Sequence, residues 1–258
     1  MGENCVKQKT MFPLDVISII AGYVAEWKFA PWIEALHLPY LQQYLHQNPM
    51  AQDMLKEIDE NYLNDVCMNC GEWAVDWLIN NQEKIKDWYF VAKNANPRAF
   101  HLWKEQQFDN REIFDGEMNE ALSTNPSAID FLSNHPRLIA RDYIVKNPLG
   151  LKLIQKYNFS FFAIAMVSNP ADWAVDYLLQ NPREWESNTK YASSNTNPRM
   201  VQYIIQHNLV NRKLLSQNPS AIAYLKKHPE MVHSSIYANP SALELTLSKP
   251  LIEILSQL

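Results

Sequence analysis

A chain of 258 residues that is 47% hydrophobic, with only five glycines, is too apolar for a disordered segment and too poor in glycine for a collagen-like one. Its formal net charge is −5, and without a basic stripe this argues against a nucleic-acid backbone as ligand. Three cysteines do not make a disulfide framework, and no apolar run reaches the ~20 residues of a membrane-spanning helix, so no membrane span is expected and the chain is placed in a reducing, intracellular compartment.

Residues 1–10 are polar and read as a flexible N-terminus. They open Met-Gly like a myristoylation site, but Val6 stands where that pattern wants Ser or Thr. Residues 11–47 are richer in aromatics, and Pro13 opens a helix whose apolar side carries Val16, Ile19, Ile20 and Tyr23. This reads as an N-terminal helical cap that seals the end of a stack. Asp15 interrupts its apolar run, which excludes a secretion signal. The run Phe12-Pro13-x-Asp15-Val16, followed by Ile19, Ile20 and Val24, is similar to the first helix of the F-box motif. That resemblance implies Pro13, Val16 and Ile20 as the residues that would dock a ubiquitin-ligase adaptor.

From residue 48 onward the punctuation is Asn-Pro. Proline fixes a helical φ and lacks the N–H that a first helical residue could not satisfy, while the preceding asparagine is pushed out of helical geometry and can cap the first turn. Of the 15 prolines, nine follow Asn and two follow His (Pro136 and Pro229). Residues 48–124 read as degenerate helical repeats. The segment NCGEWAVDWLINNQEKI from Asn69 lies over NPADWAVDYLLQNPREW from Asn169, and NPRAFHLWKEQQF from Asn96 lies over NPRMVQYIIQHNL from Asn197.

Residues 125–258 read as regular Asn-Pro repeats. Apolar residues follow the leading proline at fixed places, as in Ala128, Ile129 and Leu132, or Met200, Val201 and Ile204, which makes a helical stripe. A second break ten to twelve positions on, at Pro136, Asn158, Pro182, Asn208, Pro229 and Pro250, divides each unit into two short helices. Such helices are marginal alone and must be covered by the next unit. The expected fold is all-α, a solenoid of about eight two-helix repeats of roughly 21–28 residues, curved like a rod, with a helical cap at its N-terminal end. Asn96, Asn125, Asn147, Asn169, Asn197, Asn218 and Asn239 are the predicted caps, and His135 and His228 stand in as caps where histidine precedes proline. No alternating run predicts a strand.

Little in this pattern points to catalysis. Cys67-x-x-Cys70 lacks the two further ligands a zinc site needs, and the alignment places Cys67 in the slot of Val167, a buried one. The carboxylates of 56–61 and 109–120 read as exposed faces and a loop, and phosphate loops and nucleophile elbows are absent. No cofactor or metal is expected. Trp73, Trp77, Trp173 and Trp185 lie at helical spacing and are predicted core, whereas Trp88 and Trp103, in the irregular region, are candidate anchors for a partner. Charge is uneven: 10 Lys+Arg against 19 Asp+Glu through Ile129 gives −9, and 13 against 9 beyond it gives +4.

The unit N-P-x-A-I-x-x-L, with its second break about ten residues on, resembles the short Asn-Pro helical repeats of giant DNA viruses such as marseilleviruses. The resemblance implies a viral protein acting inside an infected eukaryotic cell, in cytoplasm or nucleus. The expected function is non-enzymatic binding of a host or viral protein partner. A ubiquitin-ligase substrate receptor and a virion structural component are the alternatives. The sequence does not fix the oligomeric state.

Overall fold

A computed structural model of the chain describes residues 25–36, 42–52, 55, 58–107 and 116–247. Pro13, Val16 and Ile20 lie outside the described residues, as does Pro250. The chain is mostly helical. In order come β1 (Ala25–Phe29), α1 (Pro31–Glu34), α2 (Gln42–Gln47), α3 (Leu63–Met68), α4 (Glu72–Asn80), α5 (Trp88–Lys93), α6 (Pro97–Gln107), α7 (Gly116–Thr124), α8 (Ile129–Asn134) and α9 (Arg141–Ile144). They are followed by α10 (Leu151–Tyr157), α11 (Asp172–Gln180), α12 (Pro198–Gln206), α13 (Arg212–Gln217), α14 (Ile222–Lys227) and β2 (Leu243–Leu247), with short 3-10 helices between them.

Two strands correct the strand-free expectation. β1, which falls inside the predicted helical cap, pairs antiparallel with β2, Ala25 opposite Leu247 and Phe29 opposite Leu243. β2 replaces a helix expected in the last repeat. Its sequence, Leu-Glu-Leu-Thr-Leu, alternates with period two, the pattern of a strand with one covered face.

The start signals behave as proline chemistry dictates. Asn125, Asn218 and Asn239 each hold extended backbone and accept from the N–H two residues on, and a 3-10 turn begins at the following proline. The apolar stripe then faces inward: Ala128, Ile129 and Leu132 are buried, as are Met200, Val201 and Ile204. The second breaks take two forms. At Asn158 and Asn208 the backbone is left-handed, with φ of 51° and 55°, and the next N–H returns to a carbonyl five residues back, Phe159 to Ile154 and Leu209 to Ile204, which closes the helix as a C-terminal cap.

At the other breaks the expected capping fails. His135 and His228 do not cap the turns that follow them; His135 Nδ1 lies 2.8 Å from the Phe131 carbonyl of α8 and His228 Nδ1 3.2 Å from the Glu230 carboxylate. Each ring also stacks on an aromatic one turn earlier, Phe131 at 4.3 Å and Tyr224 at 4.3 Å. Asn181, although followed by proline, turns its amide back to the Tyr177 carbonyl at 2.8 Å, ending α11 and not starting the next turn. The histidine that does cap is His233, whose Nδ1 accepts from the Ser235 N–H. Burial, with Lys213 and Arg212 nearby, lowers its pKa, as a neutral acceptor nitrogen requires.

Candidate functional site

The asparagines do more than cap. Nine of them, Asn48, Asn69, Asn94, Asn125, Asn147, Asn169, Asn195, Asn218 and Asn239, are at most 4% exposed. Each accepts through its side-chain oxygen from the backbone N–H two positions on. In the eight after Asn48 the amide nitrogen donates backward to the preceding segment. In Asn147, for example, it reaches the carbonyls of Ser123 at 3.0 Å and Asn125 at 2.8 Å, and in Asn169 those of Val145 and Asn147.

The same pair of acceptors, the previous asparagine and the residue two before it, recurs at Asn94, Asn125, Asn195, Asn218 and Asn239. Asn69 reaches the His46 carbonyl. A primary amide suits this place because it alone among short side chains offers two donors and an acceptor from one planar group. Aspartate would lack the donors, and glutamine would overreach.

Of the predicted caps, Asn125, Asn197, Asn218 and Asn239 accept at the start of a helical turn. Asn147 and Asn169 bond the N–H two positions on, but the helices after them start later, behind Gly150 and Ala171, and the ladder is not identical with the predicted set. In the two segments reading Asn-x-Asn-Pro, Asn96 and Asn197 cap α6 and α12 through the N–H groups of Arg98 and Arg199, whereas Asn94 and Asn195 hold the ladder position. Asn48, outside the eight expected units, supplies the ninth place. Its amide donates to the carbonyls of Tyr237, 189 positions away, and Asn239. Beside it the Ala30 N–H donates to Ala242 at 2.9 Å, the Phe29 ring sits edge-on to Tyr237 at 4.7 Å, and α2 packs on the 3-10 helix Ser234–Ala238. The expected open end is therefore joined to the last described segment, and the succession of bonds returns to its start.

Several residues just before the ladder asparagines lie together on one side of the array. Gln217 hydrogen-bonds Gln47 across the intervening segment of Ala238, a reach possible only where alternate segments converge. Two adjoining cavities lie on this side. One of about 300 Å³ is lined from four successive segments by Tyr89, Lys93, Glu120, Thr124, Tyr143, Lys146 and Ser168. The other, of about 440 Å³, shares Tyr143, Lys146 and Ser168 and adds Asp142, Ile164, Ala165, Tyr191 and Ser194. Ile164 and Tyr191 are 39% and 55% exposed. Lys93 and Lys146 sit over the rings of Tyr89 and Tyr143 at 5.7 and 4.3 Å. A hydrogen bond to Glu120, with some burial, raises the Tyr143 phenol above its ordinary pKa. This is a groove with apolar, cationic and hydroxyl groups in contact with solvent.

The predicted aromatic anchors are elsewhere. Trp103 is fully buried, stacked on Phe100 at 5.7 Å and edge-on to Phe131 at 6.0 Å, so it is core and not an anchor. Trp88 is half-buried and packs on the core. Trp73 and Trp173 hold equivalent places, each donating its indole N–H at 3.1 Å to the carbonyl of a proline in the preceding segment, Pro49 and Pro148. Cys67 is buried and Cys70 exposed, both free. Burial, reinforced by the negative charge of Asp87, pushes the Cys67 thiol up to about 12. Among the described residues no three His, Cys, Asp or Glu side chains gather as a metal site, and no helix is long and apolar enough to cross a membrane. The groove residues have one sequence signal that composition does not show: Lys93, Thr124, Lys146, Ser168 and Ser194 each immediately precede a ladder asparagine. No protein-family model, curated protein or solved structure matches the chain.

Proposed function

We propose that the chain is a closed array of nine asparagine-linked helical units, a solenoid joined end to end, and that its concave rim binds a protein partner without catalysing a reaction on it. The observation that carries this reading is the groove running over successive segments, with Ile164 and Tyr191 exposed beside Lys146. Monomeric proteins keep apolar side chains in such concavities chiefly where something docks. The repeat logic supports it too, since a stacked array presents one extended face built from equivalent positions. The resemblance of the Asn-Pro units to giant-virus repeat proteins directs the search to host and viral proteins of an infected cell.

The test is site-specific photo-crosslinking in extracts of such cells, with benzoylphenylalanine at Tyr191 and, separately, at exposed Arg183 outside the groove. A discrete adduct from position 191 alone is expected, followed by its reconstitution with the purified partner. Adducts from both positions alike, or measurable hydrolase or transferase turnover by the purified chain, would contradict the reading.

A further inference from the structure

The two rim lysines have no carboxylate within ion-pairing distance among the described residues, although they line one cavity together. Each ammonium rests on a tyrosine ring, an attraction that leaves its remaining N–H donors directed at solvent. Glu120 lines the same cavity, and its carboxylate accepts from the Tyr143 hydroxyl. The neighbouring cavity is lined by exposed Ile164 and Tyr191, and also by exposed Asp142 and the shared Lys146. Lys93 thus lines only the first cavity, Ile164 and Tyr191 only the second, and Lys146 both.

We propose that the groove takes an extended peptide segment of a partner protein, one end acidic and the other aliphatic. Carboxylates would meet Lys93 and Lys146, and an aliphatic side chain would cover Ile164 and Tyr191. This rests on the reading of the rim as a protein-binding face. A peptide fits better than a nucleic acid because two lysines beside Glu120 and Asp142 cannot neutralise a continuous phosphate backbone, whereas single peptide carboxylates can be placed on Lys93 and Lys146 alone, and the apolar side chains offer nothing to phosphate.

The probe is a fluorescein-labelled peptide, Glu-Ser-Glu-Ser-Leu-Ser-Leu, tested by anisotropy in this order and reversed, beside peptides with Gln for Glu or Ser for Leu and beside labelled oligouridylate. One order of the Glu/Leu peptide should bind, and both replacement peptides should bind less. K93Q and K146Q should each weaken it about fivefold, as for a partly shielded ion pair, with rising salt acting in the same direction. Lys226→Gln, on an exposed lysine elsewhere, should change nothing. Equal binding of the Gln peptide, no binding by either order, or an unchanged affinity in the K93Q/K146Q double variant overturns the proposal. If the Tyr191-crosslinked partner still binds that double variant, the acidic class falls and the rim reading stands. Tighter binding of oligouridylate than of any peptide sinks both.

Discussion

Asn125 shows what one amide does in this fold. As a cap alone, its replacement by alanine would cost about 1 kcal/mol. The side chain also donates to the buried carbonyls of Ala92 and Asn94 at 2.7 and 2.8 Å, and each acceptor stranded by its loss adds roughly 1 kcal/mol. Asn125→Ala should therefore cost about 3 kcal/mol in urea unfolding, within the ~2–5 kcal/mol expected for Ile129→Ala, which removes a buried aliphatic side chain. A value near 1 kcal/mol would show the cross-segment bonds to be unimportant. Asn125→Asp is sharper, because its ionised carboxylate would face two carbonyl oxygens with nothing to donate. Burial and that repulsion would raise its folded-state pKa above the ~3.9 of an unfolded aspartate. A raised carboxyl pKa means that folding favours the proton, so the variant's deficit should be greatest at neutral pH and shrink as pH falls through the folded value. A pH-independent deficit would contradict this. Cys67 and Cys70 differ by the same logic. In a Cys5→Ser background at pH 8, a thiol reagent should modify exposed Cys70 promptly and spare Cys67 until the chain unfolds, since burial disfavours the Cys67 thiolate.

At the scale of elements, close approach between turns matters more than helix propensity. A Cβ at Gly150 would lie 2.2 Å from the Ile144 carbonyl oxygen and 3.0 Å from that of Asn147, the first bonded by the Asn147 backbone N–H and the second by the Asn169 amide of the ladder. Gly150→Ala should cost roughly 1–3 kcal/mol or more as overpacking. At Gly116, where an added Cβ meets nothing within 4 Å, the same change at the start of α7 should be neutral or stabilise by up to ~1 kcal/mol. Thermal melts of the two variants separate these outcomes, and equal shifts would mean the contact at Gly150 relaxes freely. The elements also repeat in detail where the sequence does: α4 and α11 are both Glu/Asp-Trp-Ala-Val-Asp helices of nine residues. Each meets an arginine at the start of a later helix, Arg98 of α6 on Asp76 and Arg199 of α12 on Asp176, at 2.7 Å.

For the whole molecule the joint at Asn48 is unlike the others, because its partners are 189 and 191 positions away in the chain while the other ladder bonds span 21 to 33. Removing an amide inside the covalent run should lower the unfolding midpoint and leave the transition sharp. Asn48→Ala should instead let the two ends part. Hydrogen exchange should then lose protection first around residues 42–50 and 234–247, with a broader urea transition. Uniform loss of protection in both Asn48→Ala and Asn147→Ala would argue that closure adds no cooperativity.

The local grammar was legible in the chain itself. Proline after asparagine fixed where most turns begin, left-handed Asn158 and Asn208 fell at expected breaks, and the stripe of Ile129 and Leu132 named the buried face, because φ restriction and helical periodicity act over a few residues. Tertiary structure decided the rest. The same dipeptide starts a turn at Asn125 and ends a helix at Asn181, and Trp103 is core despite its irregular surroundings. Asn94 and Asn195 displace the asparagines next to proline as the ladder, and β1 finds β2 across most of the sequence. Each outcome depends on which carbonyls a neighbouring segment brings within reach, and periodicity within one segment carries no record of that neighbour.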